Sequence, residues 1–373
     1  MIMPTFDPEH LTPRDSLNRA RIVELPGLIP DPDVRSHTGY ELLGAQALTE
    51  AISAHAAALG LDPACSDASA LLPAFDRCLG AEDPAIRATA LELGRRFGRS
   101  LGYFLLMLRR GDAVNRLARD DWGDTWWGYW SAVRTIWLGG GIVSGLLGSH
   151  LRAHAAAVLE EDDGIGSGPT LHLSAFTSAL PLIGAARSLP FSATAPSTET
   201  AIVLDFGSTS IKRAHAIYSH GALTTLRLLP SLPATQLTTE PPAVTPSDVG
   251  PVRRAHWIAT QMADMTAATW HVAARPDNSL TPHVVASLAS YVRDGRPLRR
   301  QGGAYTELSA LPPPAAQVLS PLLAERIGHK VEITLLHDGT SAARTYAGTP
   351  HAAVLMLGTA LGVGYPPPSV GAL

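Results

Sequence analysis

The chain has 373 residues, with 29 basic against 33 acidic side chains and a formal net charge of −4. At 46% hydrophobic and 17% charged residues it can bury a sizeable core, which argues against wholesale disorder, and its length predicts two lobes or domains. The slight acidity argues against a general nucleic-acid binder, because neutralising phosphates takes clustered positive charge, and no run of about 18 uncharged apolar residues is present to span a membrane.

Pro, Asp and Arg crowd the first 36 residues, which read as irregular structure or a surface arm. This start lacks a basic stretch followed by an apolar one, so no signal peptide is expected and the location reads as cytoplasmic. Residues 41–60 carry a helical pattern ending on Gly60 and are the one convincing helix before residue 85. The spacing of Cys65 and Cys78 fits no metal motif, so both read as reduced thiols. A longer helix is predicted over 85–110. Pro84 precedes it, and Ile86, Ala90, Leu93, Phe97, Leu101, Phe104, Leu105 and Leu108 fall three and four apart.

Trp122, Trp126, Trp127, Tyr129 and Trp130 form an aromatic patch that reads first as core or subunit interface, with ligand stacking as the alternative. A strand then runs into Gly139–Gly141. A helix over 146–159, a strand over 170–175 and a helix over 179–189 continue an α/β alternation. The paired acids Asp120–Asp121 and Asp162–Asp163 read as solvated turns.

The Pro/Ser/Thr-rich segment 190–200 reads as a linker. A new unit follows: an apolar strand at 201–206, an antiparallel meander through 211–229, and a Pro/Thr-rich loop at 230–251. After it come a helix over 252–272, a strand over 283–292, a helix over 314–327 and a strand over 330–336. The last strand, 351–357, ends in a glycine turn.

Four segments carry chemistry. In LDFGSTSIK (204–212), Asp205 ends a strand, Gly207 allows a tight turn, and Ser208 and Thr209 offer hydroxyls and backbone N–H groups to phosphate oxygens. Asp205 is then placed to hold Mg2+, directly or through water. An ordinary β-hairpin explains the same residues equally well. Lys212 suits a phosphate contact or simple exposure.

In LMLGTALGVGY (355–365), Gly358 and Thr359 form a second turn suited to close phosphate approach. In IWLGGGIVSG (136–145), Gly139, Gly140 and Gly141 leave room for a flat nucleoside, and the helix that follows can aim its N-terminus at a phosphate. In LLHDGTSAA (335–343), Asp338 follows a strand and suits either a general base or a helix N-cap. His337 beside it suits substrate contact or a structural hydrogen bond.

Together these segments resemble the ATP-binding motifs of the actin-like ATPase superfamily, most closely its ROK-type, glucokinase-like sugar kinases. Asp205, Gly207, Thr209 and Lys212 match the family's phosphate-1 pattern Asp-x-Gly-x-Thr-x-x-Lys. His337–Asp338–Gly339–Thr340 matches the catalytic Asn-Asp-Ala-Asn-like stretch. Leu357–Gly364 matches phosphate-2, with Ala360 replacing one glycine. Leu138–Gly141 matches the adenosine segment, and 180–189 is similar to the closing helix. The order differs, since the adenosine segment and closing helix come first. That is the pattern of a circular permutation.

The resemblance implies an α/β, two-lobed actin-like ATPase (ribonuclease H-like) fold with an interlobe cleft, in circularly permuted order. Residues 201–345 would form the first lobe, with phosphate-1 and the catalytic Asp. Residues 346–373 would start the second lobe, with phosphate-2. Residues 85–189 would complete that lobe, 190–200 would link the two, and 1–84 would be an extension packed on the second lobe. The two strands 351–357 and 133–138 would then share a sheet.

The implied activity is ATP- and Mg2+-dependent phosphorylation of a hydroxyl on a sugar or sugar-like small molecule. Asp338 would be the base, Asp205 the metal position, and His337 and Thr340 the substrate contacts. No cysteine/histidine zinc motif and no Glu-x-Gly-His sugar contact follow phosphate-2, so the sugar contacts are altered. A non-catalytic nucleotide- or sugar-responsive protein of the same fold is the alternative. No nucleic-acid or membrane partner is expected, and a homodimer stays open.

Overall fold

A computed structural model describes residues 6–65, 67–161, 168–189, 198–238, 250–274, 280–300 and 303–368. Asp162–Asp163 and most of the expected linker lie outside these residues, while 198–200 already belong to a strand. In chain order the elements begin with α1 (Gly39–Leu43), α2 (Ala45–Ala54), α3 (Ala68–Cys78), α4 (Pro84–Arg110), α5 (Ala113–Leu117) and α6 (Asp124–Ala132). There follow β1 (Thr135–Gly139), α7 (Leu146–Glu160), β2 (Thr170–Leu173), α8 (Leu180–Ala186), β3 (Thr198–Phe206), β4 (Ser210–Ser219) and β5 (Ala222–Pro233). Next are α9 (Thr235–Thr238), α10 (Pro251–Ala273), β6 (Leu280–Leu288), β7 (Val292–Arg293) and β8 (Arg296–Pro297). The chain closes with α11 (Ala315–Ile327), β9 (Glu332–His337), α12 (Asp338–Arg344), β10 (Ala352–Leu357) and β11 (Leu361–Gly364). Among the described residues, no helix is long and apolar enough to cross a membrane.

The chain divides into two compact units. Unit 1 comprises Met1–Asp7, Arg14–Ser178 and Thr349–Tyr365, and unit 2 comprises Pro8–Pro13, Ala179–Gly348 and Pro366–Leu373. Unit 1 holds a four-stranded sheet in the order β11-β10-β1-β2. β10, β1 and β2 run parallel and β11 turns back antiparallel. β10 thus lies beside β1, with Thr135 opposite Ala352 and Gly139 opposite Met356, which is the neighbour relation expected of the displaced motif order.

Helix α4 starts where the Asp83 side chain accepts from Ala85 N and ends at Gly111 in the left-handed region. Its glycines let α7 come close: a Cβ on Gly102 would stand 2.6 Å from Val158 Cβ and 2.8 Å from the Ala155 carbonyl. The tryptophan patch is core. Trp122, Trp126, Trp127 and Trp130 are all buried, and Arg119 lies over Trp122. Asp121 is not merely solvated, since it pairs with Arg19 at 3.1 Å and Arg119 at 2.9 Å.

Residues 6–36 are irregular but are no surface arm, because Leu17, Ala20, Ile22, Leu25 and Val34 are buried. Buried Asn115 replaces the missing strand partner there: its Oδ1 accepts from Val23 N and its Nδ2 donates to the Glu24 carbonyl. The expected helix at 41–60 breaks at Gly44 into α1 and α2, and α3 adds a helix that the pattern did not predict.

Unit 2 holds a five-stranded sheet in the order β5-β4-β3-β6-β9. β3, β4 and β5 form the expected antiparallel meander, while β3, β6 and β9 are mutually parallel. Alternation along β3 splits its side chains. Ile202, Leu204 and Phe206 pack with α10 and α11, and Ala201 and Val203 pack with α8. α8 and α12 touch backbone to backbone, since a Cβ on Gly184 would stand 1.5 Å from the Ser341 carbonyl.

Two expectations shift in this unit. The strand at 283–292 ends at Leu288 and a small β7–β8 hairpin follows. Its turn is Asp294-Gly295, both at positive φ. In the expected loop at 230–251, β5 runs on to Pro233 and the helical turn α9 follows, while 239–249 lie outside the described residues.

Candidate functional site

The three parallel strands of unit 2 bring their C-terminal ends to one edge, where ligands of open α/β sheets are bound. Asp205, one residue from the end of β3, lies opposite Lys212 on β4 and Ser287 on β6. Lys212 Nζ donates to Oδ2 and Ser287 Oγ donates to Oδ1, both at 2.8 Å. A carboxyl only 3% exposed thereby has both oxygens hydrogen-bonded, one to a cation and one to a hydroxyl. Lys212 is therefore neither a free phosphate ligand nor an idle surface residue.

The Gly207–Thr209 turn is a true hairpin turn, and it also exposes the Ser208 and Thr209 hydroxyls at its tip, so the two readings of this segment coexist. Gly207 is required by crowding, with the Ser210 carbonyl 2.8 Å from where a Cβ would stand. The turn is braced from outside by Tyr305, whose hydroxyl donates to the Gly207 carbonyl at 2.9 Å. Burial, then the charges of Asp205 and Asp338, hold this phenol far above its ordinary range, so it remains a donor.

Asp338 opens α12 at the end of β9, but it is not the N-cap. That place belongs to His337, whose Nδ1 accepts from Thr340 N at 3.2 Å. The imidazole stacks on Tyr291, with centroids 4.4 Å apart and 17° between planes. Burial, then the Arg300 charge, push His337 down to about 3, so the ring is neutral. With Nδ1 accepting, the hydrogen is assigned to Nε2, which lies 3.2 Å from Asp338 Oδ1. His337 thus makes the structural hydrogen bond that was one of its two expected roles.

Asp338 Oδ1 also accepts from Gly339 N at 2.7 Å. Its side chain keeps 27% of its surface open. Burial, then the neighbouring Asp205 charge, push it up to about 7, against the opposing pull of Gly339 N–H, Arg300 and Lys212. A carboxyl titrating near neutrality suits proton transfer.

In unit 1 the glycine segments adjoin at the C-terminal ends of β1 and β10. Gly140 has φ +96°, and a Cβ there would stand 2.1 Å from the Leu357 carbonyl; Ile142 N donates to that same carbonyl. Gly141 is open, and Thr359 is exposed at the β10–β11 turn. Asn18 clamps that hairpin through both backbone groups of Leu361, and Ala45 N donates to the Gly358 carbonyl.

The expectation of a phosphate at the N-terminus of the next helix is overturned. Asp76 of α3 occupies the start of α7, accepting from Leu147 N at 2.8 Å, and its carboxylate fills the space beside Gly145.

Among the described residues there is no cluster of three or more His, Cys, Asp or Glu able to hold a metal. Two carboxylates plus water and phosphate oxygens suit Mg2+, which seldom uses an all-protein cage. Asp205 oxygens have each accepted one bond and retain lone pairs, and a cation would relieve the repulsion that raises Asp338. The donor set fits Mg2+ held largely through water.

Ser287, Tyr291, Arg300 and Tyr305 were not found from sequence. Only Ser287 left a signal, its place near the end of an apolar strand.

No family model and no curated protein matches the sequence. Among solved structures the chain is similar to ethanolamine utilization protein EutJ from Carboxydothermus hydrogenoformans, at 15% identity and a TM-score of 0.24. That match covers 50% of this chain and spans 56% of EutJ.

Proposed function

We propose that the protein is an Mg2+- and ATP-dependent phosphotransferase of the actin-like ATPase superfamily, ROK-like and circularly permuted, acting on a hydroxyl of a sugar-like small molecule. The observation that carries this reading is Asp338: a carboxyl at a strand end, released from capping by His337 and titrating near 7. The unit 2 sheet supports it. A three-stranded antiparallel meander followed by two parallel strands, in spatial order 3-2-1-4-5, is the ribonuclease H-like arrangement. Read from β10 onward, unit 1 has the order 2-1-4-5, the same arrangement without one edge strand.

In this reading Asp338 takes the proton of the acceptor hydroxyl. Asp205 holds the metal position through water, fixed in turn by Lys212 and Ser287. Ser208, Thr209 and the backbone of their turn face phosphate oxygens, and Gly358–Thr359 and Gly139–Gly141 are assigned to the nucleotide on the resemblance. Mg2+, when bound, supplies charge neutralisation for the transferring phosphoryl group.

An ADP-release screen over sugars, aminosugars, cyclitols and nucleosides, with and without Mg2+, tests the proposal. Release that needs both acceptor and Mg2+ supports it. A second reading, a nucleotide-responsive protein without turnover, is favoured by one feature: the Asp205 charge is already neutralised by Lys212. It predicts nucleotide affinity with no acceptor-dependent ADP.

A further inference from the structure

Beside Asp338, on the same edge of the unit 2 sheet, two polar groups are left without partners. Arg300 follows the β7–β8 hairpin. Its Nη2 reaches the Ala289 carbonyl at 3.4 Å, while Ala289 N donates to the Phe206 carbonyl at the end of β3. The guanidinium therefore lies at the ends of β3 and β6. Gly303, at φ +91°, admits it: a Cβ there would stand 3.1 Å from Nη2.

No carboxylate of the described residues pairs with Arg300, and its Nε is buried without a hydrogen-bond partner. Ser290, next in chain to Ala289, is 1% exposed, and its hydroxyl is also without a partner. Tyr291, the following residue, carries the His337 ring. The Arg300 charge is felt at both His337 and Asp338.

Leaving a guanidinium nitrogen and a hydroxyl unpaired in a protein interior is costly unless something else satisfies them. Of the carboxyl groups on this edge, Asp205 is bonded to Lys212 and Ser287 and Asp338 Oδ1 to Gly339 N, and neither makes an ion pair with Arg300. What the pair lacks is an acceptor with two or more oxygens, and a guanidinium matches a carboxylate or phosphate best.

From the Arg300 guanidinium, whose Nε is buried without a partner, and the unpartnered hydroxyl of Ser290 next to Ala289, we infer an oxyanion subsite at the ends of β3 and β6, so that the acceptor is a hydroxylated compound bearing a carboxylate or a phosphate. This deepens the proposed phosphotransfer and rests on it for the word acceptor. Anion binding itself does not depend on turnover.

Calorimetric titration of the full chain, free of nucleotide and metal, separates the two. The probes are D-glucuronate for the carboxylate, D-glucose 6-phosphate for the phosphate, and D-glucose as the neutral reference. At least one anion is expected to bind ten or more times tighter than glucose. Arg300→Met is expected to abolish that preference, and Ser290→Ala to weaken it several-fold while leaving the fold intact by circular dichroism. Lys330→Met, at an exposed lysine just before β9, serves as control and is expected to retain it. Anions that bind no better than glucose, or a preference that survives Arg300→Met, overturn the subsite. In either case an acceptor-dependent ADP signal with neutral sugars would leave the phosphotransfer reading standing.

Discussion

At the scale of single residues, the site depends on two carboxyl groups held in different ways. Asp205 is buried and bonded to a cation and a hydroxyl; Asp338 is pushed up to about 7 by burial and then by the Asp205 charge. A base must be deprotonated to act, so turnover is expected to rise with pH through about 7. A pH–rate profile of kcat/KM that stays flat between pH 5.5 and 8.5 would remove Asp338 from that role. The same shift has a stability consequence of fixed sign. A carboxyl raised from 3.8 stabilises the fold below its unfolded value and loses that contribution as pH rises through about 7. Asp338→Asn is therefore expected to raise Tm at pH 8 and to leave it nearly unchanged at pH 3.5, which thermal melts at the two pH values check. For His337, the cap predicts that His337→Ala costs about 0.5–2 kcal/mol while His337→Asn, which can still accept from Thr340 N, costs less. Both carboxylates were legible in sequence because each sits within a short local pattern of strand, acid and glycine. Ser287, Tyr305 and Arg300 were not, because their partners lie on other strands and no local spacing encodes them.

Among the elements, close approach is what the glycines serve. α4 and α7 meet along Gly98 and Gly102, and α8 meets α12 at Gly184. Gly102→Ala is expected to destabilise by about 1–3 kcal/mol through overpacking against Val158 and the Ala155 carbonyl, measured by urea denaturation. An unchanged midpoint would show that the two helices can part. The helices α4, α7, α10 and α11 were legible because apolar residues recur along each at helical spacing, and β3 because it is a short unbroken run of buried apolar residues. The region before α4 was misread for a physical reason. Its buried residues are held by the Asn115 side chain and by short turns rather than by a repeating ladder, so they leave no period of 2 or 3.6. α3 escaped notice because Pro73 interrupts a helix whose buried residues are Leu71, Phe75 and Cys78.

For the molecule as a whole, unit 1 is closed by strands far apart in sequence, with β10 pairing parallel to β1. Residues before α4 brace that unit at two chemically important places. Asn18 and Ala45 hold the Gly358 hairpin, and Asp76 caps α7. This bracing was invisible in the sequence, because a single Asn or Asp carries no pattern of its own. The central claim is that Asp338 is a general base rather than a structural acid, and one comparison addresses it most directly: turnover and nucleotide affinity of Asp338→Asn beside the unaltered protein, with Mg2+ and a phosphorylated acceptor. Charge changes but shape hardly does, and the cap remains with His337. The expected result is turnover reduced roughly 10²–10⁴-fold, the usual worth of a positioned base, with nucleotide affinity retained. Unimpaired turnover in Asp338→Asn would contradict the account.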